Sequence, residues 1–304
     1  MTKEELRRLQ RRNDRYWKRR EMRQRAKLYN KTVTELDTEL GRQYLRVSKD
    51  LKRLFIEAIE EVKGKDGVIQ PSDLYNSDRY YKLMNEVNEE LSKLALKQTG
   101  ALESNLVTVY EEQSLAEKEF LGDRFGLYDK VNKEAARLVV NEIWCDDGRN
   151  LSNRIWRNKE WLMQRLEESL FDFVSRGQPM MNIGYENGKP KGLMFDLISD
   201  QTGVPVEELT NILDDDFREA YNNARRLVRT ETARVQSRAT QDRYREAGFT
   251  KYRIIAEPDC CEVCADLAEQ VFDIDELVIP AHPNCRCAMA AITESLGEGR
   301  PMLP

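Results

Sequence analysis

Five of the six cysteines in this 304-residue chain, and its only histidine, lie between positions 260 and 287. The spacing is Cys261-x2-Cys264, seventeen residues, then His282-x2-Cys285-x-Cys287, with Cys260 adjoining the first pair. Zinc takes four tetrahedral ligands from thiolate and imidazole, and a C-x2-C turn brings two sulfurs to one ion. The segment around these residues has few large apolar side chains and too little core to fold alone, so a metal would supply the staple. The spacing predicts one structural zinc per chain, held by Cys261, Cys264, His282 and either Cys285 or Cys287. Disulfides and small buried core residues are the alternative readings. A chain without an export signal sits in a reducing compartment, which argues against disulfides. Cys145, alone in IWCDDG, reads as a buried residue. With the sole imidazole used as a ligand, a catalytic zinc or a His-Asn-His nuclease would lack its base. The expectation is therefore no enzyme.

Upstream, the apolar periodicity is helical. Val47, Leu51, Leu54, Phe55, Ala58, Ile59 and Val62 recur at steps of three and four, as do Met84, Val87, Leu91 and Leu94. Val131, Ala135, Leu138, Val139 and Ile143 form a third stripe, and Leu162, Leu166, Leu170 and Phe173 a fourth. Between Lys3 and Lys27 the stripe is thin (Leu6, Leu9, Tyr16, Trp17), which predicts a helix that projects or docks on a partner. Four glycines, two prolines and the turn dipeptide Asn187-Gly188 predict a loop or β-hairpin over 175–197. Pro205 is placed to open a helix, and a long helix follows over about Asp216–Glu246, ended by Gly248. KYRIIAE, QVFDID and CRCAMAAI read as three short strands joined by the cysteine-bearing loops.

The expected fold is mainly α: an elongated multi-helix body with a long N-terminal helix, and a small C-terminal α+β module stapled by zinc. The boundaries expected are a basic helical arm and long helix over 1–62, a helical body over 63–204, and a long helix over 205–249. A Cys/His module over 250–293 and a flexible tail over 294–304 complete the chain. The net charge of -5 conceals an asymmetry, because residues 1–28 carry twelve Lys/Arg against four Asp/Glu. A basic arm on an acidic body suits phosphates or an acidic protein surface. Its candidate contacts are Arg7, Arg8, Arg11, Arg12, Arg15, Lys18, Arg19 and Arg20. No apolar run is long enough to predict a membrane span. MTKEELRRLQRR has no apolar h-region, so synthesis and use are expected to begin in the cytosol.

CEVCADLAEQVF followed by PAHPNCRCAM resembles the C-terminal signature of the phage Mu F-like minor head proteins, also called phage head morphogenesis proteins. In that family a helix with an Arg-Thr-Glu element precedes the signature, and LVRTETARVQSRA places Arg229, Thr230 and Glu231 there. The resemblance spans about residues 205–293 and departs from the common pattern at LAEQ, where many members have Asp-Gly. DRYWKRR and NLSNRIWRNKEWL resemble segments of such proteins from phages of Gram-positive bacteria. The resemblance implies a minor structural protein of the phage head interior, near the portal vertex. It implies action in head morphogenesis and in DNA packaging or delivery. Its implied partners are the portal, scaffold and major capsid proteins and double-stranded DNA. The structural role expected for Arg229, Thr230 and Glu231 is to tie the long helix to the zinc module. Relatives fused to ADP-ribosyltransferases exist, but Glu117-x-Glu119 here has no Ser-Thr-Ser companion.

The competing reading is a metal-dependent enzyme acting on nucleic acid, with further metal at Asp146 and Asp147 or at Asp214–Asp216. Such aspartate runs more often cap helices and solvate loops. A host zinc-containing DNA binder is a third reading.

Overall fold

The computed structural model describes residues 3–62, 78–122, 125–128, 131–175, 206–257, 260–268 and 270–292. The loop or hairpin expected over 175–197, Pro205 and the tail over 294–304 lie outside these residues, Ser175 excepted. The fold is mainly helical with a small C-terminal sheet, as the periodicity predicts. The elements in order are α1 (Lys3–Val62), α2 (Asp78–Leu121), α3 (Lys133–Val140), α4 (Leu151–Ser175), α5 (Val206–Ala247), β1 (Lys251–Ile255), α6 (Glu262–Leu267), β2 (Val271–Asp273) and β3 (Ala288–Ala291). No helix among the described residues is long and apolar enough to cross a membrane. The chain divides into two compact units, one of residues 1–37, 100–151 and 225–304, the other of residues 38–99 and 152–224.

The second unit is a helical core built on the predicted stripes. Leu51, Phe55, Val87, Leu91, Leu162, Leu166 and Leu170 are all buried there, joined by Phe217 and Ala220. Within it Asn158 Nδ2 donates to the Tyr44 hydroxyl at 3.0 Å and to Ala220 O at 2.9 Å. Gly41 stands inside α1, where glycine costs about 1 kcal/mol relative to alanine. A Cβ at Gly41 would lie 3.3 Å from the Tyr221 hydroxyl, so the missing side chain makes room for that ring.

In the first unit two expectations change. The helix predicted around 131–143 runs only from Lys133 to Val140. Asn132 caps it, its Oδ1 accepting from Glu134 N at 2.9 Å, and Asn141 ends it. Ala136, Val139 and Val140 face inward, while Leu138 and Ile143 are 75% and 58% exposed. The basic arm also buries more than its thin stripe implied. Glu21, Arg25, Tyr29, Val33 and Leu36 are buried at helical spacing, so two of these five inward positions are charged.

Those charges are held by neighbouring helices. Arg20 Nη1 donates to Glu21 Oε1 at 2.6 Å and to Glu117 Oε2 at 3.3 Å, and Nη2 donates to Ala116 O at 2.9 Å. The Arg20 guanidinium stacks 3.4 Å from the centre of the Phe120 ring. Gln113 Nε2 and Thr240 Oγ1 donate to Glu117 Oε1 at 2.7 and 3.3 Å. Two buried carboxyls share one guanidinium. Burial, and then the Glu117 charge, raise the Glu21 pKa well above its ordinary value of 4.5, with Arg20 opposing.

The folded chain therefore keeps a proton on Glu21 at pH values where the unfolded chain has released it. The stability linked to that proton is complete below the ordinary value and is lost as pH rises through the raised folded value. In urea denaturation, wild type is expected to lose stability relative to Glu21→Gln as pH rises above 4.5. The relative slope is at most about 1.4 kcal/mol per pH unit for one proton. Parallel curves would show that Glu21 is ionised in the folded chain.

Candidate metal centre

The three strands predicted after Gly248 form an antiparallel sheet in the order β2-β1-β3. Tyr252 pairs with Phe272 on one side and with Ala291 on the other. The Tyr252 hydroxyl donates to Glu276 O at 2.9 Å and accepts from Val278 N at 3.3 Å, holding the chain between β2 and His282. Cys264, Cys285 and Cys287 belong to one apolar cluster with Tyr252, Ile254, Ile274 and Met289 from the sheet region. The same cluster contains Leu121, Phe125, Leu127 and Tyr244. The Cys/His segment thus shares its core with the end of α2 and with α5, through ring contacts such as Phe125–Phe249 at 5.9 Å.

Cys261 stands at the N-cap of α6 and Cys264 on its first turn, so the i, i+3 spacing points both sulfurs to one side. His282 and Cys285 are joined by a turn in which Cys285 N donates to His282 O at 3.1 Å. Asn284 takes φ 65°, a left-handed conformation that asparagine tolerates better than most residues. His282 Nδ1 lies 2.8 Å from Pro283 O. A carbonyl only accepts, so Nδ1 carries the proton and Nε2 presents its lone pair to the sulfurs. Nε2 is 3.2 Å from Cys261 Sγ and 3.0 Å from Cys264 Sγ. Cys264 Sγ is 3.7 Å from Cys285 Sγ.

Two overlapping sets, Cys261/Cys264/His282 and Cys264/Cys285/Cys287, each have ligand atoms within 4.8 Å of one another. Tetrahedral zinc with bonds of about 2.3 Å to sulfur separates its sulfurs by about 3.8 Å, close to the Cys264–Cys285 spacing. Packed together, the thiols perturb one another's ionisation. Burial pushes the Cys264 thiol up to about 12. A hydrogen bond from Cys287 holds Cys285 below its ordinary range, and the same bond raises Cys287. Such crowding opposes ionisation of all the thiols together, and a cation among them would relieve it. None of the described cysteines is in a disulfide. Cys260 packs at the edge of the apolar cluster, and Cys145 is half-buried.

The other candidates fall in different places. Of the expected tie, Thr230 meets the Cys/His segment: its Oγ1 accepts from Asn284 N at 3.0 Å and donates to Arg226 O at 2.7 Å. Arg229 pairs with Asp37 at 3.6 Å. Glu231 accepts from Trp144 Nε1 at 3.0 Å and from Arg234 Nε at 2.7 Å, and so anchors the 140–144 loop. Gln241, which the sequence did not single out, donates to Ile274 O at 2.6 Å and to Glu276 O at 3.1 Å, holding the chain beyond β2.

In the arm, Arg7, Arg8, Arg11 and Arg12 lie outside the residues whose side chains are described, while Arg15 and Arg19 are exposed and Lys18 is half-buried. Arg20 is turned inward onto Glu117 and Phe120, not toward an external phosphate. The aspartates proposed for further metal diverge. Asp214 pairs with Lys52, Asp215 with Arg218, and Asp216 accepts from Ser169 Oγ at 2.7 Å. Asp147 accepts from Arg149 N at 3.1 Å.

Thr230→Val keeps the shape of the side chain and leaves Asn284 N without its acceptor. Losing such a partner is expected to cost about 1–3 kcal/mol in denaturant titration, with helical circular dichroism unchanged. An unaltered midpoint would mean that Asn284 N finds another acceptor.

Comparison with curated proteins and with solved structures gives no significant match. A family model described as Phage Mu protein F like protein matches residues 201–290, the segment that carries α5, the sheet and all five Cys/His ligand candidates.

Proposed function

We propose that this chain is a minor structural protein of a tailed-phage head, from a phage or prophage of Gram-positive bacteria. It associates with the portal, acts in head morphogenesis and in DNA packaging or delivery, and binds rather than catalyses. The observation that carries this reading is that the family match falls on the segment whose donors converge. That segment's chemistry is structural: soft ligands held by backbone turns, beside a helix whose polar groups bond to neighbouring elements. Within it the centre holds one structural zinc through Cys261, Cys264, His282 and Cys285, with the Cys287 thiol donating to the Cys285 sulfur. The choice of Cys285 rests on its 3.7 Å approach to Cys264.

When bound, the metal supplies a cross-link between α6 and the His282–Cys285 turn. Elemental analysis is expected to find one zinc per chain. Cys264→Ser removes the donor common to both sets of ligand atoms. Zinc sites of this kind are worth about 10–16 kcal/mol in apparent free energy, comparable to a domain's whole stability. Proteolysis of the variant is therefore expected to open 249–292 and, through the shared cluster, Phe125 and Leu127. The helical unit of residues 38–99 and 152–224 survives on its own core. Reduced, unreactive cysteines in a metal-free native protein would overturn the zinc reading.

The head reading is tested by co-expression with the portal protein of the same genome, where the two are expected to co-purify. Metal-dependent cleavage of plasmid DNA that is lost on a point substitution would replace it with an enzyme. For the arm, neutralising about five phosphates gives a log–log slope of DNA affinity against salt of about -4 to -5. Deleting residues 1–19, which spares the inward-facing Arg20, is expected to flatten it. An unchanged slope would place DNA contacts elsewhere.

A further inference from the structure

Arg25 is the buried charge that the zinc reading leaves unexplained. It lies on α1, 6% exposed, and its guanidinium donates only to neutral acceptors, Ala233 O at 2.8 Å and Ser237 Oγ at 2.9 Å. Among the described residues no carboxylate pairs with it. A buried guanidinium without a counter-charge is strongly disfavoured. Burial lowers the Arg25 pKa, and the Cys285 and Cys287 sulfurs, followed by Glu21, oppose that shift. The surrounding contacts place this turn of α1 on the same strand and turn. Met22, one turn before Arg25, packs against Ile255, Ala288 and Ala290. Gln236 Nε2 donates to Arg25 O at 3.3 Å. Thr230, further back on α5, holds Asn284 N beside Cys285.

Three thiolates and a neutral imidazole around a divalent ion carry one net negative charge. Beside it stands one buried positive charge from a helix remote in sequence. We propose, resting on the zinc reading above, that Arg25 is the counter-charge of the metal centre and couples metal occupancy to the docking of α1. Arg25 is a positioning residue, since it touches no metal ligand donor position itself. The coupling is reciprocal: a docked α1 tightens the metal, and the bound metal holds down the helix that carries the basic arm.

The test uses the full chain with zinc alone as the probe. Zinc affinity is measured by competition with a chromophoric chelator, and hydrogen exchange is followed at the amides of residues 20–33. Arg25→Met keeps the length and removes the charge, and is expected to weaken zinc by about ten-fold or more, as loss of a supporting residue around a metal typically does. Arg25→Lys keeps the charge and is expected to retain most of the affinity. In wild type, chelation is expected to speed exchange over 20–33 and to leave residues 44–56 of the same helix protected. If Arg25→Met fails to fold, the wild-type exchange comparison decides by itself. Unchanged affinity in a folded Arg25→Met, or exchange in wild type that ignores zinc, overturns the coupling and leaves the zinc reading standing. A wild-type chain that takes up no zinc overturns both.

Discussion

Every residue of α5 from Thr230 to Ser237 is buried, and six of these eight are polar or charged. Buried polar groups destabilise a fold unless neighbours supply partners for them. The elements around this stretch are therefore chosen as much by hydrogen bonding as by apolar contact. Arg234, fully buried, is met by Glu231 at 2.7 Å and by Val140 O at 3.1 Å, with the Trp144 ring 5.6 Å away. Gln236 is met by the backbone of Arg25, Thr230 by the backbone of Asn284, and Gln241 by Ile274 O. One polar helix thus orients α1, the 140–144 loop and the Cys/His segment at once. Each of these bonds is directional, so small displacements of the surrounding elements are penalised in a way that an oily seam would tolerate.

The soft ligands gather in one place because that place combines little apolar area with tight turns. Its sheet has three strands of five, three and four residues. Such a sheet has little stability by itself, and the shared cluster with Leu121, Phe125, Leu127 and Tyr244 supplies much of its packing. The ligand turns are separate local constructions: Cys261 and Cys264 on one helical turn, His282 and Cys285 on a loop shaped by the left-handed Asn284. The two constructions meet only because β2 and the following segment, clamped by Tyr252 and Gln241, return the chain to α6. A metal at that meeting point would close a loop of 18 to 21 residues and so constrain the unfolded chain. A metal held there would act on the same joint as these hydrogen bonds.

Charge is handled differently in the two units. In the helical unit of residues 38–99 and 152–224, ion pairs such as Arg165–Asp216 join a partly exposed cation to a buried acid. In the other unit Glu117 and Arg234 are wholly buried, with Glu21 and Arg25 nearly so. Removing either member of such an arrangement leaves an uncompensated interior charge, which costs far more than the pair contributes. The aspartates of the DDD run show the ordinary alternative, as each turns to a different cation or hydroxyl.

By itself the sequence determined the helical class, the stripes of the second unit, the three strands after Gly248 and the identity of the converging donors. These depend on local periodicity and on ligand spacing within a few residues, which a one-dimensional reading captures. Hydrophobic periodicity could not show that Glu21 and Arg25 face inward, because their inward positions are charged. Nor could it show that the 131–143 stripe is interrupted at Asn141, or that Glu231 turns to Trp144 while Thr230 turns to Asn284. Only the tertiary structure decided these, because the partner of a buried polar group is set by whichever backbone arrives beside it. Those backbones come from positions as far as 33 residues away for Gln241 and Ile274 and 211 for Gln236 and Arg25.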